Sequence, residues 1–440
     1  MTVPGARSDA LRGPTALLLY ALLLSGIIVM VGLSTVVPGA TLVAGALTLA
    51  CAVLGLALVG RTQRLIAIVL MTIGGLSLIL GGALGGTVDA RDLLSVNQDL
   101  IGMVTAVSFL RLITPLSQAT RPRLHGAPAV IRTALATHLL GAVINMGAVG
   151  IVGDQLRGRG VLRLPDAALL SRAYASAAFW SPFWAAAAAA TTLVPGANTL
   201  VLLAVGLPLA LVSIVLSTGD LCRLWGGELR TYTGYSLSWA LIRVPLALVA
   251  VVMLAHQLFP ELAVPRLVLL GGIGVTALGL LLRDWRRMPR TLARHARRDL
   301  PGLRGEVTLF ASAGVLAVGL HVLFPLVHVV LPVPGFTVWV AWLMLLAMVL
   351  AALVGMHPVV SLAVVGALVH PLGPDPTLFV LAASVGWGVS IAVGPLTGTT
   401  MFLSSRYGID SLVLSRRNLV YLAIVLAAAW PALWIVSLIA

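Results

Sequence analysis

The sequence predicts an all-α polytopic membrane protein with about 11 transmembrane helices plus two re-entrant hairpins in an inverted-topology repeat. Three observations predict it: an overwhelmingly apolar composition, recurring apolar runs of about 20 residues, and arginines concentrated in a subset of the connections. Of 440 residues, 60% are apolar and 10% charged, with a mean hydropathy of +1.07, far outside the soluble range. The runs recur from Thr15 to Ala440, each long enough to cross about 30 Å of hydrocarbon, so the chain reads as a single membrane transport domain over 1–440.

In a soluble protein a net charge of +14 would suggest nucleic acid. Here the charges lie in short connections and read as topology signals, so the bilayer is the expected partner and nucleic acid is not. All 28 basic residues are Arg. Cys51 and Cys222 lack any CxxC spacing, which gives neither a disulfide framework nor a thiolate metal site. Arg7 and Arg12 precede the run 15–33, which exceeds signal-peptide length and is expected to stay as the first span.

The spans are expected near 15–34, 40–60, 65–86, 99–117, 133–153, 167–194, 199–217, 234–257, 266–283, 306–325, 335–372, 376–405 and 418–438. Eight arginines between Arg283 and Arg304 place that connection in the cytoplasm. Arg61 and Arg64, then Arg121, Arg123 and Arg132, then Arg406, Arg416 and Arg417 do the same for theirs. Asp89, Asp92 and Asp99 mark an outside stretch, and Asp375 is the only formal charge between Val307 and Ser405. These assignments agree only if 133–153 enters from the cytoplasm and returns to it, because Arg157, Arg159 and Arg163 follow closely. A hairpin with its tip within Gly141–Gly147 satisfies that parity. For 335–372, broken at Val354–Pro358, a hairpin and two full spans remain equally compatible. The expected location is a bacterial cytoplasmic (inner) membrane, with the N-terminus inside.

A shift of about 207 to 209 residues pairs the stretch from Asp99 to Ala106 with that from Glu306 to Ala313, and Pro165 and Asp166 with Pro374 and Asp375. The paired segments run in opposite directions, giving an extra N-terminal helix (1–36), repeat 1 (37–217) and an inverted repeat 2 (218–440). Two halves inserted upside down relative to each other can exchange conformations, which is the basis of alternating access.

The order of elements resembles the ion transporter superfamily: divalent anion/sodium symporters, citrate transporters and the arsenite pump membrane subunit. The local stretches that carry the resemblance are Gly355 to Val360, Arg304 to Gly314, and Gly394 to Thr400. The resemblance implies eleven spans, two hairpins and secondary active transport; family members of this architecture are often dimers, so a homodimer is an expected assembly. The Ser-Asn-Thr signature at both hairpin tips of the dicarboxylate/sodium symporters is missing: the first tip has Asn145 alone and the second has His357 and Pro358. Sodium and dicarboxylate therefore do not carry over.

Backbone polar groups can be offered to a solute at membrane depth only where a helix is broken. Ser176, Ser181 and Pro182 interrupt 167–194; Ser390, Gly394 and Pro395 interrupt 376–405. Half-helices starting at the breaks would aim amides and positive dipole ends at an anion. The expected binding set is Asn145, Gly147, Ser176, Ser181, Pro182, His357, Pro358, Ser390, Gly394, Pro395, Thr397 and Thr399. Against it stands the simpler account of proline and glycine as kinks, and of His357 as a histidine bonded to a neighbouring carbonyl. His138, His321, His328 and His370 read as histidines near span ends, Arg172 and Arg243 as snorkelling arginines, and Asp99 and Glu306 as helix-start carboxylates. No carboxylate falls in the middle of an expected span, which leaves sodium on carbonyls and hydroxyls, or a proton on histidine, as the coupling ion. No other cofactor is expected. The function expected is secondary active transport of a small anionic solute, an organic acid or oxyanion. The competing readings are a polytopic glycosyl or lipid transferase, for which no DxD, HExxH, Walker or nucleophile-elbow motif is present, and a passive channel.

Overall fold

The computed structural model describes residues 13–114, 124–158, 160–235, 239–328 and 331–439. The chain is 82% helical, without strands among the described residues, as a bilayer demands of a chain that must satisfy its backbone internally. It is a polytopic helical membrane protein. Ten helices or kinked helix series are long and apolar enough to span a membrane among the described residues. The segment expected at 167–194 breaks into Leu164–Ala175 and Ala185–Leu193 and the one at 234–257 yields the shorter apolar helix Arg243–Leu258, whereas Ala127–Ile144, an arm of the first expected hairpin, is long enough to be included.

The first half contains α1 (Pro14–Leu33), α2 (Ala40–Leu58), α3 (Arg61–Ala83), the short α4 (Ala90–Ser95) and α5 (Gln98–Ser108) with a 3-10 turn. After these come α6 (Ala127–Ile144) and α7 (Gly147–Arg157), then α8 (Leu164–Ala175), α9 (Ala185–Leu193) and α10 (Thr199–Trp225). The second half contains α11 (Trp239–Leu258), α12 (Val264–Asp284), α13 (Met288–Arg298) and α14 (Arg304–Leu326). Its paired arms are α15 (Val338–Leu353) and α16 (Pro358–Val369), its interrupted pair α17 (Pro376–Val393) and α18 (Gly398–Tyr407), and its last helix α19 (Ser411–Ile439).

Proline sets several starts, at Pro14, Pro128, Pro165, Pro265 and Pro376, where its missing N–H costs nothing. Each half has one pair of short arms: 18 and 11 residues in α6 and α7, 16 and 12 in α15 and α16. At 1.5 Å per residue the 16- and 12-residue arms rise about 24 and 18 Å, short of a full crossing. That favours a hairpin over two spans for 335–372. Two segments differ from expectation. The arginine-rich connection is helical (α13), and α10 runs eight residues beyond Ser217, which puts Asp220 inside a helix.

Residue contacts divide the chain into two compact units that interleave along the sequence. The first takes the described residues of Met1–Ile113, Leu248–Leu331 and Gly366–Pro371; the second takes those of Thr114–Ala247, Pro332–Val365 and Leu372–Ala440. The opening helices of both halves thus build one unit, and the arms, interrupted helices and last helices build the other.

In the first unit α3 and α14 form the most extensive helix pair. A Cβ on Gly319 would come 2.2 Å from the Gly74 carbonyl oxygen, and one on Gly74 2.6 Å from that of Val315. Backbones this close are the packing mode available where lipid removes any hydrophobic drive between helices. Asn97, in the left-handed region at φ 60°, donates from Nδ2 to the Phe310 carbonyl at 2.7 Å. Asp99, expected as a helix-start carboxylate, also pairs with Arg266 at 3.0 Å. Gly319→Leu is predicted to destabilise the protein by about 1–3 kcal/mol through overpacking. Thermal unfolding in detergent would read this as a lowered midpoint; an unchanged midpoint would mean that the α3–α14 crossing is not close.

Candidate functional site

The second unit holds every residue of the expected binding set, arranged around the two interruptions. In the first, α8 tightens into a 3-10 turn at Ser176–Phe179 and stops before Pro182, which has no N–H to continue the ladder. Helix α9 begins three residues later. In the second, α17 stops at Val393 and α18 restarts at Gly398, with Gly394 and Pro395 in the gap.

The first gap is fastened to α6. The Ser181 hydroxyl donates to the Ala142 carbonyl at 2.6 Å and accepts from the Phe183 amide at 3.3 Å. The Trp184 indole donates to the Gly141 carbonyl at 3.0 Å. The Trp180 indole donates to His138 Nε2 at 2.9 Å, so Nδ1 carries the ring proton and faces the Ala173 carbonyl (3.2 Å) and the Ser176 hydroxyl (3.1 Å). His138 is fully buried inside the unit rather than near a span end, and both its nitrogens are occupied.

The second gap is satisfied by threonines and by α19. The Thr397 hydroxyl lies 2.8 Å from the Ile391 carbonyl and 2.9 Å from that of Gly394. Thr400 donates to Gly394 at 2.8 Å, Asn418 Nδ2 to Ala392 at 2.7 Å, and the Ser415 hydroxyl to Val393. The Ser390 hydroxyl reaches the Met348 carbonyl on α15 at 3.2 Å. The exposed end of α17 is thereby closed, as depth in a bilayer requires.

The start of α18 is left differently. No side chain caps it, and the Thr397 hydroxyl that could have done so has turned to carbonyls. The first-turn amides have no partner within the helix. The Thr399 hydroxyl beside them is buried at 1% exposure with no hydrogen-bond partner among the described residues. Both arm tips come to this gap. A Cβ on Gly398 would meet Met146 Cε at 3.2 Å, and one on Gly355, at φ 97°, would meet Leu396 Cδ1 at 2.9 Å. Next to Met146, Asn145 holds φ 55° with ψ −141°, a combination rarely adopted outside glycine, and accepts from the Tyr174 hydroxyl at 2.5 Å; Gly147 opens α7.

At the other tip, His357 Nδ1 accepts from the Val359 amide at 3.2 Å, so His357 caps α16, which starts at Pro358. An acceptor Nδ1 puts the ring proton on Nε2. The ring stands edge-on to Trp387, 5.9 Å between centroids. A Cβ on Gly388 would come 2.6 Å from the Ala175 carbonyl, so the two interrupted helices touch there.

Two polar residues that matter here were not in the expected set. Arg172 does not snorkel; it is 1% exposed. It donates to Asp220 Oδ2 at 2.9 Å, Asn418 Oδ1 at 2.9 Å, the Arg417 carbonyl at 2.8 Å and the Ser217 carbonyl at 3.4 Å. Asp220 also accepts from Arg417 at 2.5 Å. Arg172 therefore orients Asn418, which closes α17 at Ala392. The signal lay in Arg172 and Asp220 together, and Asp220 sits beyond the point where hydropathy ends its span. Arg243 is exposed.

No protein-family model matches the sequence, and no curated protein matches it. Among solved structures, the chain is similar to the YdaH transporter of Alcanivorax borkumensis, described as having an unusual topology. The TM-score is 0.51 at 14% identity, covering 85% of this chain and 99% of that one. At that identity the likeness is one of fold.

Proposed function

We propose that the protein is a secondary active transporter of a small anionic solute, an organic acid or oxyanion, bound at the gap between α17 and α18. The observation that carries this reading is the uncapped start of α18: first-turn amides, the buried unpartnered Thr399 hydroxyl, and both arm tips converge on it. A helix start of this kind favours negative charge through its free N–H groups and its dipole. The fold shared with a transporter supports membrane transport as the activity, over the enzyme and channel readings.

In this reading Thr399 and the α18 amides contact the solute. Asn145, Gly147, His357, Pro358, Gly394 and Pro395 shape the tips and the gap, and the His357 Nε2–H is free to donate to a carboxylate. Ser176, Ser181, Ser390 and Thr397 hold the surrounding backbone in the conformation described, with Pro182 setting the other gap, and exchange partners during the transport cycle. The halves 37–217 and 218–440 act as an inverted repeat beside the extra helix 1–36, and kinship with the ion transporter superfamily follows from that order. The protein would lie in a bacterial inner membrane with its N-terminus inside, as a homodimer. Sodium suits the coupling role better than a proton on His357, because a second ring proton at Nδ1 would face the Val359 amide and break the cap.

Purified protein in liposomes is expected to accumulate a radiolabelled carboxylate or oxyanion from a small panel when a sodium gradient is imposed. Uptake indifferent to both sodium and proton gradients would remove the coupled-transport reading. Thr399→Val should weaken uptake by about tenfold, the loss of one charge-assisted hydrogen bond, with folding intact; wild-type uptake in this variant would displace the site. Asp220→Ala should cost about 3–5 kcal/mol of stability by leaving Arg172 unpaired, measured by thermal unfolding. A loss no larger than that of Arg172→Met would show that the charge pair is not what holds the cluster.

A further inference from the structure

We infer that the arginine face of α13 is a binding platform for the headgroups of anionic phospholipids. The helix hangs between two apolar spans: α12 ends at Asp284, three residues before it, and α14 begins at Arg304, five residues after it. Connections this short keep α13 at the level of the span ends, where hydrocarbon gives way to phosphate.

One face of α13 is pinned to its own unit. His295 is 3% exposed, with Nε2 at 3.0 Å from the Ser108 hydroxyl, Nδ1 at 2.9 Å from Asp299 and its ring centroid 4.4 Å from that of Phe109. Leu300, just past the helix, is fully buried. The opposite face is cationic. Arg290, Arg294, Arg297 and Arg298 of α13 are all exposed, as are Arg283 at the end of α12 and Arg286 and Arg287 in the connection between the two helices, and among the described residues only Arg287 has a carboxylate partner, Asp284. The same end of the unit gathers Arg64, which donates to the Leu56 and Ala57 carbonyls, and Arg304, which donates to that of Leu58. Trp285 is 64% exposed beside them, with the Arg286 guanidinium 5.5 Å above its ring.

Arginines three and four residues apart on one helix repel each other, and this helix supplies no acid to offset them. The short connections hold it beside the ends of two spans, which brings lipid phosphates within reach of the arginines. A guanidinium grips a phosphate through two parallel N–H donors, basic clusters beside spans collect anionic lipids, and an exposed tryptophan settles at the same depth. Topology alone needs only positive charge in the connection; it does not need a helix with one buried face that aligns the arginines on the other.

The full-length protein in detergent would be titrated with phosphatidylglycerol and with phosphatidylcholine of identical acyl chains, following thermal stability and lipid adducts by native mass spectrometry. Phosphatidylglycerol is expected to stabilise and remain bound at concentrations about tenfold below those needed for phosphatidylcholine, and about 0.5 M salt should erase the difference. The triple variant Arg290→Gln, Arg294→Gln, Arg297→Gln should lose the preference, and the matching triple lysine variant should retain most of it. If the glutamine triple folds poorly, the pair Arg297→Gln, Arg298→Gln carries the comparison. A glutamine variant that keeps the wild-type preference, or a wild type that treats both lipids alike, would overturn the platform. Equal stabilisation by inorganic phosphate would assign the arginines to free anions instead.

Discussion

The rest of this structure depends on the obligation of every backbone polar group at membrane depth to find a partner. A continuous helix meets it internally; an interrupted one cannot. At the end of α17 the obligation is discharged by Thr397, Thr400, Ser415 and Asn418, each aimed at a carbonyl between residues 391 and 394. The side chains clustered around the gaps are there because the gaps are, and the start of α18 stands out because nothing comparable closes it.

That constraint also explains Arg172. A buried guanidinium is costly unless each donor is used, and here it spans Asp220, Asn418 and two carbonyls. By orienting Asn418 it transmits its position to the Ala392 carbonyl, so a charge cluster outside the proposed site holds one edge of it. Glycines play the matching steric part. Gly388 lets α17 approach α8, and Gly319 lets α14 approach α3, closeness that helices in lipid use in place of hydrophobic burial.

The same physics accounts for a fold shared with YdaH at 14% identity. Span length, hairpin arms and helix interruptions are fixed by bilayer thickness and backbone satisfaction, which many sequences can meet.

By itself the sequence determined the helical membrane fold, the position of nearly every helix and both interruptions, because span length, proline and glycine act locally and leave a local record. His357 and Pro358 at one tip and Asn145 at the other were legible for the same reason. Only the tertiary structure decided what each polar group does. Ser181, Ser390 and Thr397 look alike to Thr399 as hydroxyls near breaks, and become different once three of them meet carbonyls and the fourth does not. Arg172 and Asp220 are 48 residues apart on separate helices, and no local pattern joins them. Which donor meets which acceptor depends on helices crossing at a set distance and angle, a property that belongs to the packed unit and to no stretch of chain within it.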